Sequence, residues 1–160
     1  MDIIKRLYAL LVQIAAHFQS PLLLAMRIIW GVELMEAGWG KLTHIDKPIG
    51  YFMQLAIPFP VENAWLVACT ETFGGLFLFL GLLSRLTAIP LTINFIVAFL
   101  TTEQDSLKNL LHLDPDAFIA ADPFTYLAAA LITLAFGPGA YSLDYLFCRL
   151  RHIEWKGPGI

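Results

Sequence analysis

Four ionisable side chains, Arg27, Glu33, Glu36 and Lys41, fall within RIIWGVELMEAGWGKL (27–42), a stretch otherwise apolar enough to lie inside a bilayer. A second apolar stretch, ETFGGLFLFLGLLSR (71–85), opens on Glu71 and closes on Arg85. A charge at the bilayer centre costs at least about 2.5–3.5 kcal/mol on insertion scales, so such residues normally face a bundle interior or a polar cavity and find partners. Two chemistries suit this set. Opposite charges on neighbouring helices can pair and hold the helices together. Carboxyls in an apolar slot can instead exchange protons with a lipophilic carrier while an arginine stabilises its anionic form.

The elements that must position these groups follow from composition. Of the 160 residues, 58% are hydrophobic and 14% charged, and the mean hydropathy is +0.69, values that indicate a membrane protein rather than an ordinary globular domain. The net charge of −3 gives no basic surface for a nucleic-acid partner. Four segments can cross about 30 Å of hydrocarbon: residues 21–42, 62–84, 86–102 and 123–138. Ser20-Pro21 and Asp122-Pro123 each offer an N-cap followed by proline at the first helical position, and the GPG at 137–139 stops the last helix. Pro90, early in the third span, should remove a backbone bond or bend it. Ahead of the first span, Ile3, Leu7, Leu10, Leu11, Ile14 and Phe18 recur at helical spacing, predicting a short amphipathic helix on the membrane surface. The expected fold is an all-α integral membrane four-helix bundle, a single domain over 1–160, with short N- and C-terminal amphipathic helices.

With four crossings both termini share a side. That side carries Lys5, Arg6, Arg27, Arg85, Arg149, Arg151 and Lys156, against Lys41, Lys47 and Lys108 opposite, which predicts cytoplasmic termini. The outer loops are then 43–61, aromatic and proline-rich and expected to lie along the interface, and 103–122. The latter holds Glu103, Asp105, Asp114, Asp116 and Asp122 around an amphipathic SLKNLLHL (106–113), read as a surface helix in a solvated acidic loop without EF-hand spacing.

Alternate steps of four and three trace a packing seam on a helix. Arg27, Gly31, Leu34, Gly38 and Lys41 follow that rule in the first span, and Val67, Glu71, Gly74, Leu78, Gly81 and Arg85 follow it in the second. Glycines allow close helix approach in lipid, so the two stripes are expected to face each other. Each about 10–15 Å inside its own edge, Arg27 and Glu71 are the expected ion pair. Glu33 and Glu36 share a different arc with Met26, Ile29 and Gly40. At 100° per residue Glu36 lies nearly opposite Gly38, so something polar must meet that second face: another span, a pocket, a headgroup or a partner subunit.

The remaining signals are weaker. His17, His44, His112 and His152 are scattered, Cys69 and Cys148 show no CxxC or CxxH spacing, and no metal site is expected. Thr92 and Asn94 read as interhelical hydrogen-bond formers. Phosphate-binding glycine loops and hydrolase signatures do not occur.

Several signatures occur in order across residues 27–144: RIIWG leading into GWGKL, AIPFP before the second span, ETFGGLFLFLGLLSR, and GPGAYSLD. Together they resemble the DoxX family of small four-helix bacterial membrane proteins. The resemblance implies a protein of the bacterial cytoplasmic (inner) membrane, associated with electron transfer or with thiol and sulfur oxidation; the family is named for a subunit of a quinol oxidase with thiosulfate:quinone oxidoreductase activity. Carried over by position, its polar signature falls on Arg27, Gly38, Lys41, Glu71, Gly75, Gly81 and Arg85. The spans lack paired inward histidines for a haem b and a four-cysteine cluster pattern. The expected function is that of a subunit of a redox system that binds quinone, or exchanges protons with it, through Glu33, Glu36 and Glu71, with Arg27 stabilising an anionic form. The alternatives are a non-catalytic scaffold docking a redox partner subunit or a second copy of the chain, and a small transporter using the same carboxyls as a relay.

Overall fold

The computed structural model describes residues 2–111 and 115–151; His112, Asp114, His152 and Lys156 lie outside the described residues. Every regular element among them is a helix: α1 (Asp2–Thr43), α2 (Asp46–Gln54), α3 (Pro60–Leu80), α4 (Ser84–Thr101), α5 (Gln104–Leu111), α6 (Asp116–Ala120), α7 (Asp122–Phe136) and α8 (Leu143–Leu150). Three of them, α1, α3 and α4, are long and apolar enough to cross a membrane. The fourth expected span is the shorter apolar helix α7, 15 residues or about 22 Å long. Helix α1 packs on α3, α3 on α4, α4 on α7 and α7 back on α1, a closed ring of four. Leu34, Leu91, Phe95 and Ala130 fill its centre, with Tyr126 and Leu127 packed against them.

The N-terminal segment differs from expectation. Ser20-Pro21 does not start a new helix: α1 runs unbroken through Pro21. A proline forfeits only the hydrogen bond to the carbonyl four residues earlier, here that of His17, and neighbouring groups in a bundle make up for it. Around this proline Ser20 Oγ accepts from the Ala140 N–H at 3.3 Å, and Leu23 is buried beside Gly139, where an added Cβ would come within 3.4 Å of it. The apolar Ile3, Leu7, Leu10, Leu11, Ile14 and Phe18 therefore stand on an exposed extension of the first span rather than on a separate element.

Loop 43–61 contains the amphipathic α2. Loop 103–122 begins with α5, where Lys108 pairs with Asp105 at 2.9 Å and holds its carboxyl below the usual range by hydrogen bond and charge. The second span ends at Leu80, earlier than expected, because Gly81 turns left-handed at φ 67° and its N–H bonds back to the Leu78 carbonyl.

Helices α1 and α3 approach through glycine, antiparallel as expected. A Cβ added at Gly31 would sit 2.8 Å from the Phe79 backbone nitrogen, one at Gly75 2.5 Å from that of Met35, and one at Gly38 would collide with Thr72. Gly74 departs from the expected seam: its missing Cβ faces Leu91 of α4, 2.7 Å away. Adjacent helical residues point 100° apart, so α3, wedged between two helices, uses Gly75 toward α1 and Gly74 toward α4.

This register overturns the Arg27–Glu71 pair. With Gly31 opposite Phe79, Met35 opposite Gly75 and Gly38 opposite Thr72, Glu71 lies level with residue 39 of α1, twelve residues and about 18 Å from Arg27. The expectation measured the two depths from opposite faces of the bilayer. Arg27 is instead 2% exposed at the end where GPGAYSLD returns. Its guanidinium donates to the Tyr141 carbonyl, touches Gly81, and lies in the field of Asp144; Nε and Nη1 make no hydrogen bond among the described residues. Asp144 accepts from the N–H groups of Leu83 at 2.7 Å and Ser84 at 2.9 Å, capping α4, while its own N–H donates to the Gly81 carbonyl at 3.0 Å. Ser142 caps α8 by accepting from the Tyr145 N–H. One eight-residue motif thus ties the middle of α1 to the ends of α3, α4, α7 and α8.

Two outcomes follow. Gly38→Leu and Gly75→Leu should each lower stability by about 1–3 kcal/mol or more through overpacking, whereas Gly40→Leu, at a position open to its surroundings, should be neutral in thermal unfolding in detergent. Asp144→Ala leaves the α4 cap unsatisfied at Leu83, a non-glycine residue at φ 46°, and should cost about 1–2 kcal/mol. Asp144→Asn, which keeps one acceptor, should lose less in the same assay.

Candidate functional site

At the opposite end of the ring from the Arg27 knot, a cavity of about 810 Å³ lies between α1, α2, α3, α4 and α7. Its walls are mainly apolar and aromatic, among them Leu34, Tyr51, Phe52, Val67, Phe95 and Tyr126, while Lys47, Glu103 and Asp122 stand where it meets the segments 43–61 and 103–122. Glu71 forms its polar floor. Its side chain is 5% exposed and is paired with Lys41, whose side chain is 36% exposed. The second carboxylate oxygen accepts from Asn94 Nδ2 at 3.3 Å.

The sequence builds this arrangement locally. The glycine register sets Glu71 opposite the last turn of α1, where Lys41 projects from a helix C-terminus, an end whose dipole favours a cation. Thr72 next to it returns its hydroxyl to the Ala68 carbonyl at 2.8 Å and leaves Glu71 to its partners. Asn94 arrives from α4, and the Phe95 ring beside it stacks on Tyr126 of α7 with centroids 5.4 Å apart. A buried carboxylate is tolerated only with its oxygens satisfied, and here both are.

Of the six polar residues singled out from the sequence, only Lys41 and Glu71 meet. Arg27 belongs to the knot. Arg85 is exposed at the start of α4, where it donates to the Ala135 carbonyl at 3.4 Å near the end of α7. Glu33 and Glu36 are exposed on the outer face of α1 and line no part of this cavity, contrary to the expectation that they would share it. Asn94 was legible only as a hydrogen-bond former, and Tyr126 carried no signal, since a tyrosine in an apolar span reads as packing. Asp144 reads locally as an acid in the first turn of α8; its role as the cap of α4 rests on a contact about sixty residues away that local spacing does not show. Cys69 and Cys148 are free and half-buried.

An apolar cavity floored by a cation, a carboxylate and an amide can hold the polar head of an otherwise lipophilic molecule. Lysine and amide supply donors, and the carboxylate supplies a proton acceptor.

The DoxX family model matches residues 22–104, which contain Arg27, Lys41, Glu71, Asn94 and the whole glycine seam. An uncharacterised membrane protein of Mycobacterium tuberculosis is 30% identical over 136 residues, covering 78% of this chain and 80% of its own. The inner membrane protein YqjF of Escherichia coli is 30% identical over 137 residues, covering 82% and 93%. The Bacillus subtilis protein CatD, provisionally named an oxidoreductase, is 27% identical over 117 residues, covering 64% and 86%. No solved structure matches the chain significantly. By the family match and by these relatives of similar length, the chain is a membrane protein of the DoxX family.

Proposed function

We propose that this protein is an inner-membrane subunit of a redox system and that its cavity receives a quinone headgroup. The observation that carries the reading is the Lys41–Glu71–Asn94 cluster closing the floor of a large apolar cavity. In this reading α7 is the fourth crossing and the termini are cytoplasmic, by the excess of Lys and Arg at that end. The cavity then opens toward the outer face. The name of CatD, which describes that relative, points in the same direction.

The residues fit such a guest. A quinone needs an apolar slot for its ring and tail and a few donors for its oxygens, and the cavity offers aromatic and aliphatic walls with one partly exposed ammonium group. The guest would supply the electron-accepting chemistry. The protein binds and orients: Lys41 Nζ donates to a quinone oxygen, Asn94 fixes the rotamer of Glu71, and Glu71 accepts or returns the proton. Tyr126 and Phe95 form a flat wall for the ring. Lys47, Glu103 and Asp122 place ionisable groups between the floor and the outer solvent. Glu33 and Glu36 take no part, a change from the role that sequence reasoning gave them.

Glu71→Gln keeps the shape and removes the proton, so quinone-dependent respiration in cells, normalised to membrane protein level, should fall by about a hundredfold. Quinone recovered from lipid extracts of the purified Lys41→Met variant should also drop. Because a single change strands a buried charge, the double variant Lys41→Met with Glu71→Leu serves as the folded control. It should keep its thermal stability and still lack quinone. Wild-type quinone content and respiration in that folded double variant would refute the proposal.

A further inference from the structure

Glu33 and Glu36 pose a problem that the cavity does not solve. They project from the middle of the first span, about 20 Å along the helix axis from Ser20 in the case of Glu33 and about 10 Å from Thr43 in the case of Glu36. Both are exposed, and neither has a hydrogen bond or ion pair among the described residues. The charge of Glu33 acts on the Tyr126 hydroxyl through space, without a hydrogen bond between them. Two bare carboxyls at this depth are energetically costly in hydrocarbon.

They do not stand alone on the helix. Leu22, Met26, Ile29, Glu33, Glu36 and Gly40 alternate in steps of four and three, the spacing of a seam that receives another helix. All but the half-buried Met26 are exposed. A Cβ at Gly40 would meet nothing within 4 Å, which leaves that end of the seam open. Helix α1 therefore carries two seams on opposite sides. The first is occupied by α3, and the acid it meets, Glu71, is answered by a lysine.

We propose that the second seam docks a transmembrane helix of another protein, one that bears a lysine or arginine at mid-bilayer depth. Charge complementarity selects this occupant. A second copy of this chain, related by a two-fold axis along the membrane normal, would set carboxyl against carboxyl. Nor could it offer a free cation at that depth: Arg27 is buried in the knot, Lys41 is paired with Glu71, Arg85 sits at the end of the ring against the Ala135 carbonyl, and Lys5 and Arg6 lie about 40 Å along α1 from Glu33. A partner cation between Glu33 and Glu36 would be held by two carboxylates one turn apart, while Gly40 lets the helices close in beside it. This inference is independent of the quinone reading, since neither carboxyl touches the cavity.

The test uses the full-length protein, labelled at its N-terminus, in liposomes with labelled leucine–alanine transmembrane peptides that differ only in a central lysine or leucine. Energy transfer should report about tenfold tighter association with the lysine peptide. The combined Glu33→Gln and Glu36→Gln variant should lose that preference while keeping its thermal stability, because both side chains are exposed. Equal affinity for the two peptides would overturn the proposal. So would energy transfer between wild-type copies that the double variant abolishes, an outcome that assigns the seam to a second copy of this chain.

Discussion

The contact on which the structure depends is the approach of the α1 and α3 backbones at Gly31, Gly38 and Gly75. Lipid tails are as apolar as leucine, so no hydrophobic force drives two helices together in a bilayer. Packing at close range and buried polar contacts must do it. Where a missing Cβ would lie within 3 Å of the facing backbone, the register has little freedom to slide. Every polar contact inside the ring inherits that register. It brings Glu71 level with Lys41 instead of Arg27, and it sets Arg27 against the Gly81 turn, where it donates to the Tyr141 carbonyl in the loop after α7.

The two ends of the ring consequently differ. At one end a buried guanidinium, a carbonyl and an aspartate cap draw four helix ends against the middle of α1 in a tight knot with no room for a side chain at Gly81. At the other, a buried carboxylate shares its two oxygens between a lysine and an asparagine beneath an open apolar cavity. Between them lies the core of Leu34, Leu91, Phe95 and Ala130. Buried ion pairs add little net stability after desolvation, so an acid at Glu71 is a costly choice for packing alone. The knot closes its end of the ring; the pair lies at the end where the cavity opens between the connections.

The fold was largely legible because hydrophobic length and proline–glycine punctuation are local signals: α3, α4 and α7 begin within two residues of their expected starts. The misjudged limits have local physical causes that composition cannot show. Gly81 stops α3 by turning left-handed, and Pro21 is carried inside α1 because the bundle supports the helix around it. The site was legible by residue type but not by partner. Periodicity says which face of a helix a residue occupies, and it found the α1–α3 seam. It does not give the axial offset between two helices, and that offset alone decides which base answers Glu71. Gly74 and Gly75 illustrate the same limit, since both are close-packed and only the third helix shows which one faces which neighbour.

Helix α1 is unusual in carrying a packing seam on one side and buried-type polar groups exposed on the other, and the difference lies in how its charges are distributed. On the inner seam Arg27 and Lys41 bracket two glycines, so the cations sit at the two ends of a contact whose centre is bare backbone. On the outer seam the charges are acidic and central, with aliphatic side chains toward one end and Gly40 toward the other. A face meant for lipid would have the reverse pattern, apolar at its centre and polar only near the headgroups, as on α4, where the exposed Ile89, Ile93, Ile96 and Leu100 carry no charge. The same sequence thus writes a lipid-facing helix in one place and declines to do so in another, and that internal contrast separates the outer face of α1 from an ordinary bundle exterior.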